Sequence, residues 1–105
     1  MIFDLRFLPE VEEDVIGSYL WYEEKARGLG EEFLRVFYAC ANELIRNALL
    51  YQKVYGDFQR RLLRRFPYAI YFRIEEYEIV VFGLLHCARD PRSIKLNLSD
   101  RNSKI

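Results

Sequence analysis

The sequence predicts an α+β fold of βααβββ order, an antiparallel sheet packed against an α-hairpin. Three observations carry this. Residues 2–8 and 68–74 alternate apolar and polar positions with a period of two, the pattern of half-buried strands. Residues 9–50 repeat their apolar positions with a helical period, interrupted once between Arg27 and Gly30. Residues 79–85 are apolar on both faces, as in a strand covered on two sides. A chain of 105 residues makes one domain with one core.

The elements follow in order. In the first strand Phe3, Leu5 and Phe7 point one way, and Ile2, Asp4 and Arg6 the other. Pro9 ends it and suits the first turn of a helix, where its missing N–H costs nothing. Glu10, Glu12, Glu13 and Asp14 then sit where the helix dipole favours negative charge. The first helix runs to about residue 26, with Val11, Val15, Tyr19 and Tyr22 as its stripe and Ile16 widening it. Trp21 lies off that line, at the stripe's edge or against a partner. Gly28 is placed for a left-handed conformation, and Gly30 adds a second break. The second helix, about residues 31–50, shows Phe33, Val36, Phe37, Cys40, Leu44 and Ala48 on one face. So short a joint makes the two helices an antiparallel hairpin, whose stripes must be buried on the sheet.

Residues 51–59 carry turn chemistry at Gly56-Asp57 and read as irregular. Residues 60–66 read as an edge strand, with arginines on both faces to discourage further pairing. In residues 68–74, Tyr68, Ile70, Phe72 and Ile74 point inward, and Ala69, Tyr71 and Arg73 outward. Residues 75–78 form a tight hairpin. Gly83, inside the last strand, leaves room for close approach of another group. Residues 93–105 are polar and weakly patterned, and read as a loosely held tail or one ordered by a partner.

Composition sets the outer bounds. The chain is 51% apolar and 16% aromatic, the makeup of a folding chain rather than a disordered one. No apolar run approaches the ~18–20 residues that span a membrane, and no signal pattern opens the sequence. A cytoplasmic protein without membrane partners is expected. Cys40 and Cys87 show no metal spacing and read as small buried or half-buried thiols; no metal or cofactor is expected. The net charge of zero hides an asymmetry. Residues 1–50 hold five Lys/Arg against ten Asp/Glu, and residues 51–105 hold eleven against six. Either the halves neutralise each other inside the fold, or the basic half meets an acidic partner.

Much of the basic charge lies in RRLLRRFPYAIYFR, residues 60–73, where Arg60, Arg61, Arg64, Arg65 and Arg73 stand without a lysine among them. Such a run is either a solvated edge or a surface for phosphates, an acidic patch or an acidic peptide. Tyr71, read as exposed, could stack on a base or fill an interface.

The chain resembles the RelE/ParE superfamily of type II toxin–antitoxin toxins. The resemblance rests on FLPEVEEDV near the start, YLWYEEKARGLGEEF across the first helix, RRLLRRFPYAIYFRIEEYEIVVFGLLH in the sheet, and ARDPR at the close. It covers about residues 3–92, which places a toxin domain at 1–92 and the tail at 93–105. It implies a cognate antitoxin that wraps and neutralises the toxin, with Trp21 and Tyr22 as candidate contacts. It also implies one of two targets. ParE-like members inhibit DNA gyrase by binding, and RelE-like members cut messenger RNA on the ribosome.

A metal-free ribonuclease needs a base for the 2′-hydroxyl, cations for the phosphorane and an acid for the leaving oxygen. Arg89 best matches the late arginine of RelE-like members, with Arg73 and His86 completing a candidate catalytic set. Arg60, Arg61, Arg64, Arg65, Arg92 and Tyr71 are candidates for target or nucleic-acid binding. Histidine suits acid–base work near neutrality, yet His86 alternates with Val80, Phe82 and Leu84, as a structural histidine also would. No tyrosine follows Tyr77, where RelE-like nucleases commonly carry one. The LHCARDP close is the more ParE-like, so the binding inhibitor is the first reading and the nuclease the alternative.

Overall fold

The structure, a computed structural model, describes residues 2–103. Strand β1 (Asp4–Phe7) leads into helices α1 (Pro9–Lys25) and α2 (Leu29–Asn47), a 3-10 turn (Ala48–Leu50), strands β2 (Lys53–Tyr55), β3 (Phe58–Leu62), β4 (Tyr68–Glu75) and β5 (Glu78–His86), and helix α3 (Pro91–Asn102). The sheet order is β1-β5-β4-β3-β2. Strands β2 to β5 are antiparallel to their neighbours, and β1 adds to β5 in parallel.

The α-hairpin packs on the sheet as expected, but the sheet is five-stranded and mixed rather than wholly antiparallel, since β1 joins β5 in parallel. Val11, Val15 and Tyr22 of α1 and Phe33, Phe37, Cys40 and Leu44 of α2 are buried. Ile70 and Phe72 of β4 are fully buried with them, and Phe33 meets the Tyr68 ring at 5.1 Å. Gly28 adopts φ 87° and opens α2, while Glu23 turns back to accept from the N–H groups of Gly28 and Gly30 at 3.0 Å each. A Cβ on Gly30 would lie 2.7 Å from the Tyr19 carbonyl oxygen, so only glycine lets the two helices close this tightly.

Four further expectations change. Residues 51–59 are not irregular: Gly56, at φ 54°, turns a short hairpin between β2 and β3. The arginine strand is therefore not the sheet edge, because β2 lies outside it. Residues 93–102 are not a loose tail. Asp90 caps α3 by accepting from Arg92 N–H at 2.9 Å, Pro91 starts it, and Ile94 and Leu98, one turn apart, are buried as it packs against β5. Lys104 and Ile105 lie outside the described residues.

The fourth change concerns Tyr71, which is 1% exposed rather than outward-facing. The alternation is right, but the outer face of β4 is covered as well. Tyr71 stacks on Tyr55 at 6.3 Å, Phe58 packs edge-on against Phe82, and the α3 residue Lys95 sits over the Tyr55 ring. The sheet is buried on both sides, which makes a 105-residue chain a three-layer domain.

Strand β5 carries one irregularity. Tyr71 faces Gly83 and Phe72 faces Val81, so Phe82 is an extra residue, a β-bulge. Beyond Phe7, β1 no longer covers the β5 edge. There the Phe82 carbonyl accepts from Arg101 Nη1 at 2.8 Å, and Leu84 N–H donates to Asp14 Oδ2 at 3.0 Å. Side chains of α3 and α1 thus take the place of a continued strand. The room is made by Gly83, whose Cβ would lie 2.9 Å from Arg101 Nη1.

Candidate functional site

The end of β5 and the start of β4 meet α1 at a cleft of about 690 Å³. Its walls include Glu13, Gly17 and Trp21 of α1, Pro67 and Tyr68 before and on β4, and His86 and Arg89 at the close of β5. His86 and Tyr68 are register partners, and their rings meet edge to face at 4.9 Å. The His86 ring is held by the turn after it. Nδ1 accepts from Ala88 N–H at 2.9 Å, so the neutral ring carries its proton on Nε2. Arg89 N–H donates to the His86 carbonyl at 3.1 Å, which places the Arg89 side chain, exposed to solvent, in the same cleft. An imidazole, a guanidinium, a phenol and the Glu13 carboxylate therefore share one opening. Such a set can hold an anion and move a proton.

The remaining arginines do not join them. Adjacent strand positions face opposite sides, and Arg60 and Arg61 part accordingly. Arg61 turns to α2, where its Nη2 lies 2.7 Å from Glu43 Oε2, and the Tyr51 hydroxyl donates to Glu43 Oε1 at 2.6 Å. These two hydrogen bonds hold the Glu43 carboxyl below the usual carboxylate range. Arg64 reaches the same carboxylate at 3.4 Å, and Arg65, at φ 66°, pairs with Glu32. Basic and acidic halves of the chain thus neutralise each other in part, three arginines of β3 and its following turn meeting two glutamates of α2. Arg60 lies with Tyr71 on the other face. Burial pushes the Tyr71 phenol above its ordinary value, opposed by the Arg60 guanidinium beside it. Burial likewise raises the Cys87 thiol, again against Arg60. Cys87 is exposed and Cys40 buried. Arg73 pairs with Glu75 and lies over the Phe58 and Phe82 rings at 5.4 and 4.9 Å. Arg92 is exposed on the first turn of α3.

Of the catalytic candidates, His86 and Arg89 come together and Arg73 does not line their cleft. Of the contact candidates, Trp21 is 52% exposed, whereas Tyr22 is a core residue, 9% exposed and stacked on Phe33 at 5.2 Å, though it also lines the cleft. Tyr71, as a buried ring, is unavailable to a partner. The sequence reading missed Tyr68 and Glu13 as companions of His86. Counting pairs back from the 75–78 turn would set Tyr68 opposite Leu85, and the bulge at Phe82 moves it to His86.

Among the described residues no three His, Cys, Asp or Glu side chains gather to hold a metal ion, and no helix is long and apolar enough to cross a membrane. No protein-family model and no curated protein matches the sequence. A solved structure does match in shape: a chain of the chromosomal ParDE TA system from P. aeruginosa superposes with a TM-score of 0.74. The fold is ParDE-like. The alignment covers 81% of this chain and 96% of the other, at 15% identity. The ParDE-like fold agrees with the RelE/ParE resemblance read from the sequence.

Proposed function

We propose that the chain is the toxin of a type II toxin–antitoxin pair, a ParE-like growth inhibitor that acts in the cytoplasm by binding a target such as DNA gyrase and is neutralised by a cognate antitoxin. The shape match to a ParDE-system chain carries this reading. The binding mode is favoured over cleavage by where the arginines go. Arg61 is held by Glu43 and Arg73 by Glu75, Arg64 and Arg65 pair with Glu43 and Glu32 at the surface, and among the described residues Arg89 is the arginine that lines the His86 cleft. One cation beside an imidazole is a thin set for stabilising a phosphorane.

The alternative, a RelE-like ribosome-dependent mRNA endonuclease, is supported by one observation: His86, Arg89, Tyr68 and Glu13 line a single cleft.

The test is induction of the chain alone in growing cells, with primer extension on translated messages and plasmid supercoiling followed together. Growth arrest with intact messages and altered supercoiling is expected. Cuts at ribosome-occupied codons, lost in Arg89→Ala or His86→Ala, would replace the inhibitor reading with the nuclease. Normal growth, messages and supercoiling would end both.

A further inference from the structure

Helix α1 keeps a second face that the fold does not use. Ile16, Leu20 and Trp21 are 49%, 55% and 52% exposed, and with Gly17 they form one contiguous patch at i, i+1, i+4 and i+5. The same stripe continues to Glu13 one turn before and Glu24 one turn after, both exposed. The patch is therefore apolar in the middle, with Glu12 and Glu13 at one end and Glu24 beside Lys25 at the other, net negative over about 16 Å of helix.

Gly17 is the odd residue. A glycine in mid-helix costs stability, and nothing inside this molecule asks for it. A Cβ there would meet no atom within 4 Å, and the backbone is not left-handed. It contrasts with Gly30, where a Cβ would collide with Tyr19, and with Gly83, where it would press on Arg101. Those two glycines make room for neighbours within the fold. Gly17 makes room facing outward, between exposed apolar side chains.

The geometry points to this face as the seat of a partner helix, one that lays an apolar stripe across Ile16, Gly17, Leu20 and Trp21 and carries Lys or Arg at its flanks. The bare Gly17 backbone lets the two helices approach closely. The basic flanks follow from charge: Glu13 and Glu24 bound the patch, and Glu12 is exposed beside it. A second copy of this chain would set one net negative rim against another, three carboxylates to one ammonium on each side, which disfavours it. The Trp21 ring already holds an ammonium, that of Lys25, 4.7 Å above its centre. Gly17 and Trp21 also line the His86–Arg89 cleft, so the seated helix covers its α1 wall. The assignment deepens the toxin–antitoxin reading, which supplies the reason for a protein partner, but its test needs no toxicity.

Trp21 is the sole tryptophan, so its emission reports the face directly. The probe is a displayed library of amphipathic helical peptides with a fixed apolar stripe and flanks randomised among Lys, Glu and Ser, selected on the full-length chain. Enriched peptides are expected to be net positive, to blue-shift Trp21 emission, and to bind Gly17→Leu about tenfold more weakly, although that variant melts no lower than the parent. Glu13→Gln with Glu24→Gln is expected to weaken them and flatten their salt dependence. Net-negative or charge-indifferent winners would overturn the proposal, as would equal binding to Gly17→Leu or no enrichment. So would a concentration-dependent dimer that shifts Trp21 emission without peptide. A chain that arrests nothing in cells yet selects basic helices would keep this surface and lose the toxin reading.

Discussion

Asp14 and Arg101 form a two-point ion pair, with Nη1 2.7 Å from Oδ2 and Nη2 3.0 Å from Oδ1, across 87 residues of sequence. Their side chains are 12% and 13% exposed. Each also serves the backbone of β5, Asp14 through Leu84 N–H and Arg101 through the Phe82 carbonyl. Helix α1, helix α3 and the bulged strand are thereby joined at one point.

Breaking this junction from either side should be costly. Asp14→Ala leaves a largely buried guanidinium and the Leu84 N–H without their acceptor, and Arg101→Ala leaves the carboxylate without its cation. Each should lose about 2–4 kcal/mol in urea unfolding, and the double variant should lose clearly less than the two losses combined. Gly83→Ala should destabilise the parent chain, because its Cβ displaces Arg101, and should cost little once Arg101 is alanine.

Two glycines should respond with opposite signs. Gly17→Ala gains helix propensity with no clash and should stabilise by about 0.5–1 kcal/mol. Gly30→Ala meets the Tyr19 carbonyl and ring at 2.7 and 2.8 Å and should cost about 1–3 kcal/mol. Thermal melts of the two variants check this.

Glu43 should make stability depend on acid. Its folded carboxyl sits below the ordinary value, through Tyr51 first and then Arg61. The unfolded chain therefore takes up the proton first as pH falls. The stability that Glu43 contributes is whole above the ordinary glutamate range and disappears as pH drops through the lower folded value. Unfolding of the parent and of Glu43→Gln, compared from neutral pH down, should show a gap that closes in that window. A gap that widens toward acid would reverse the assignment.

Tyr71→Ala should behave as a core deletion. A loss of about 3–5 kcal/mol is expected, against at most about 0.5 for an exposed strand position. Tyr71→Phe, which keeps the packing, should lose much less.

The parts of the fold set by short-range pattern were legible. Period-two alternation put Ile70 and Phe72 in the core, helical spacing gave α1 and α2, and Gly28 and Gly83 announced a left-handed turn and a close approach. What failed depends on contacts distant in sequence. Helix α3 has only Ile94 and Leu98 to bury, too few for a periodic signal, though Asp90-Pro91 marks its start. Without α3 and β2 in view, Tyr71 reads as exposed. The site was legible only in part for the same reason. Alternation separates Arg60 from Arg61, but nothing local says that Glu43, 18 residues earlier, will take Arg61. The pairing of Tyr68 with His86 hangs on a single extra residue in β5.

Parallel pairing of β1 with β5 has a temporal meaning. Asp4 finds Glu78 only after β2, β3 and β4 have left the ribosome, and Asp14 finds Arg101 later still. While it is being translated, the α-hairpin has no sheet to lie on. The nascent chain passes through a stretch of synthesis with its stripes open, and completes its core only once β4, β5 and α3 have emerged. A chain that folds in this order keeps the apolar stripes of its α-hairpin open until β4 and β5 have emerged, and any binding protein present in that interval meets them first.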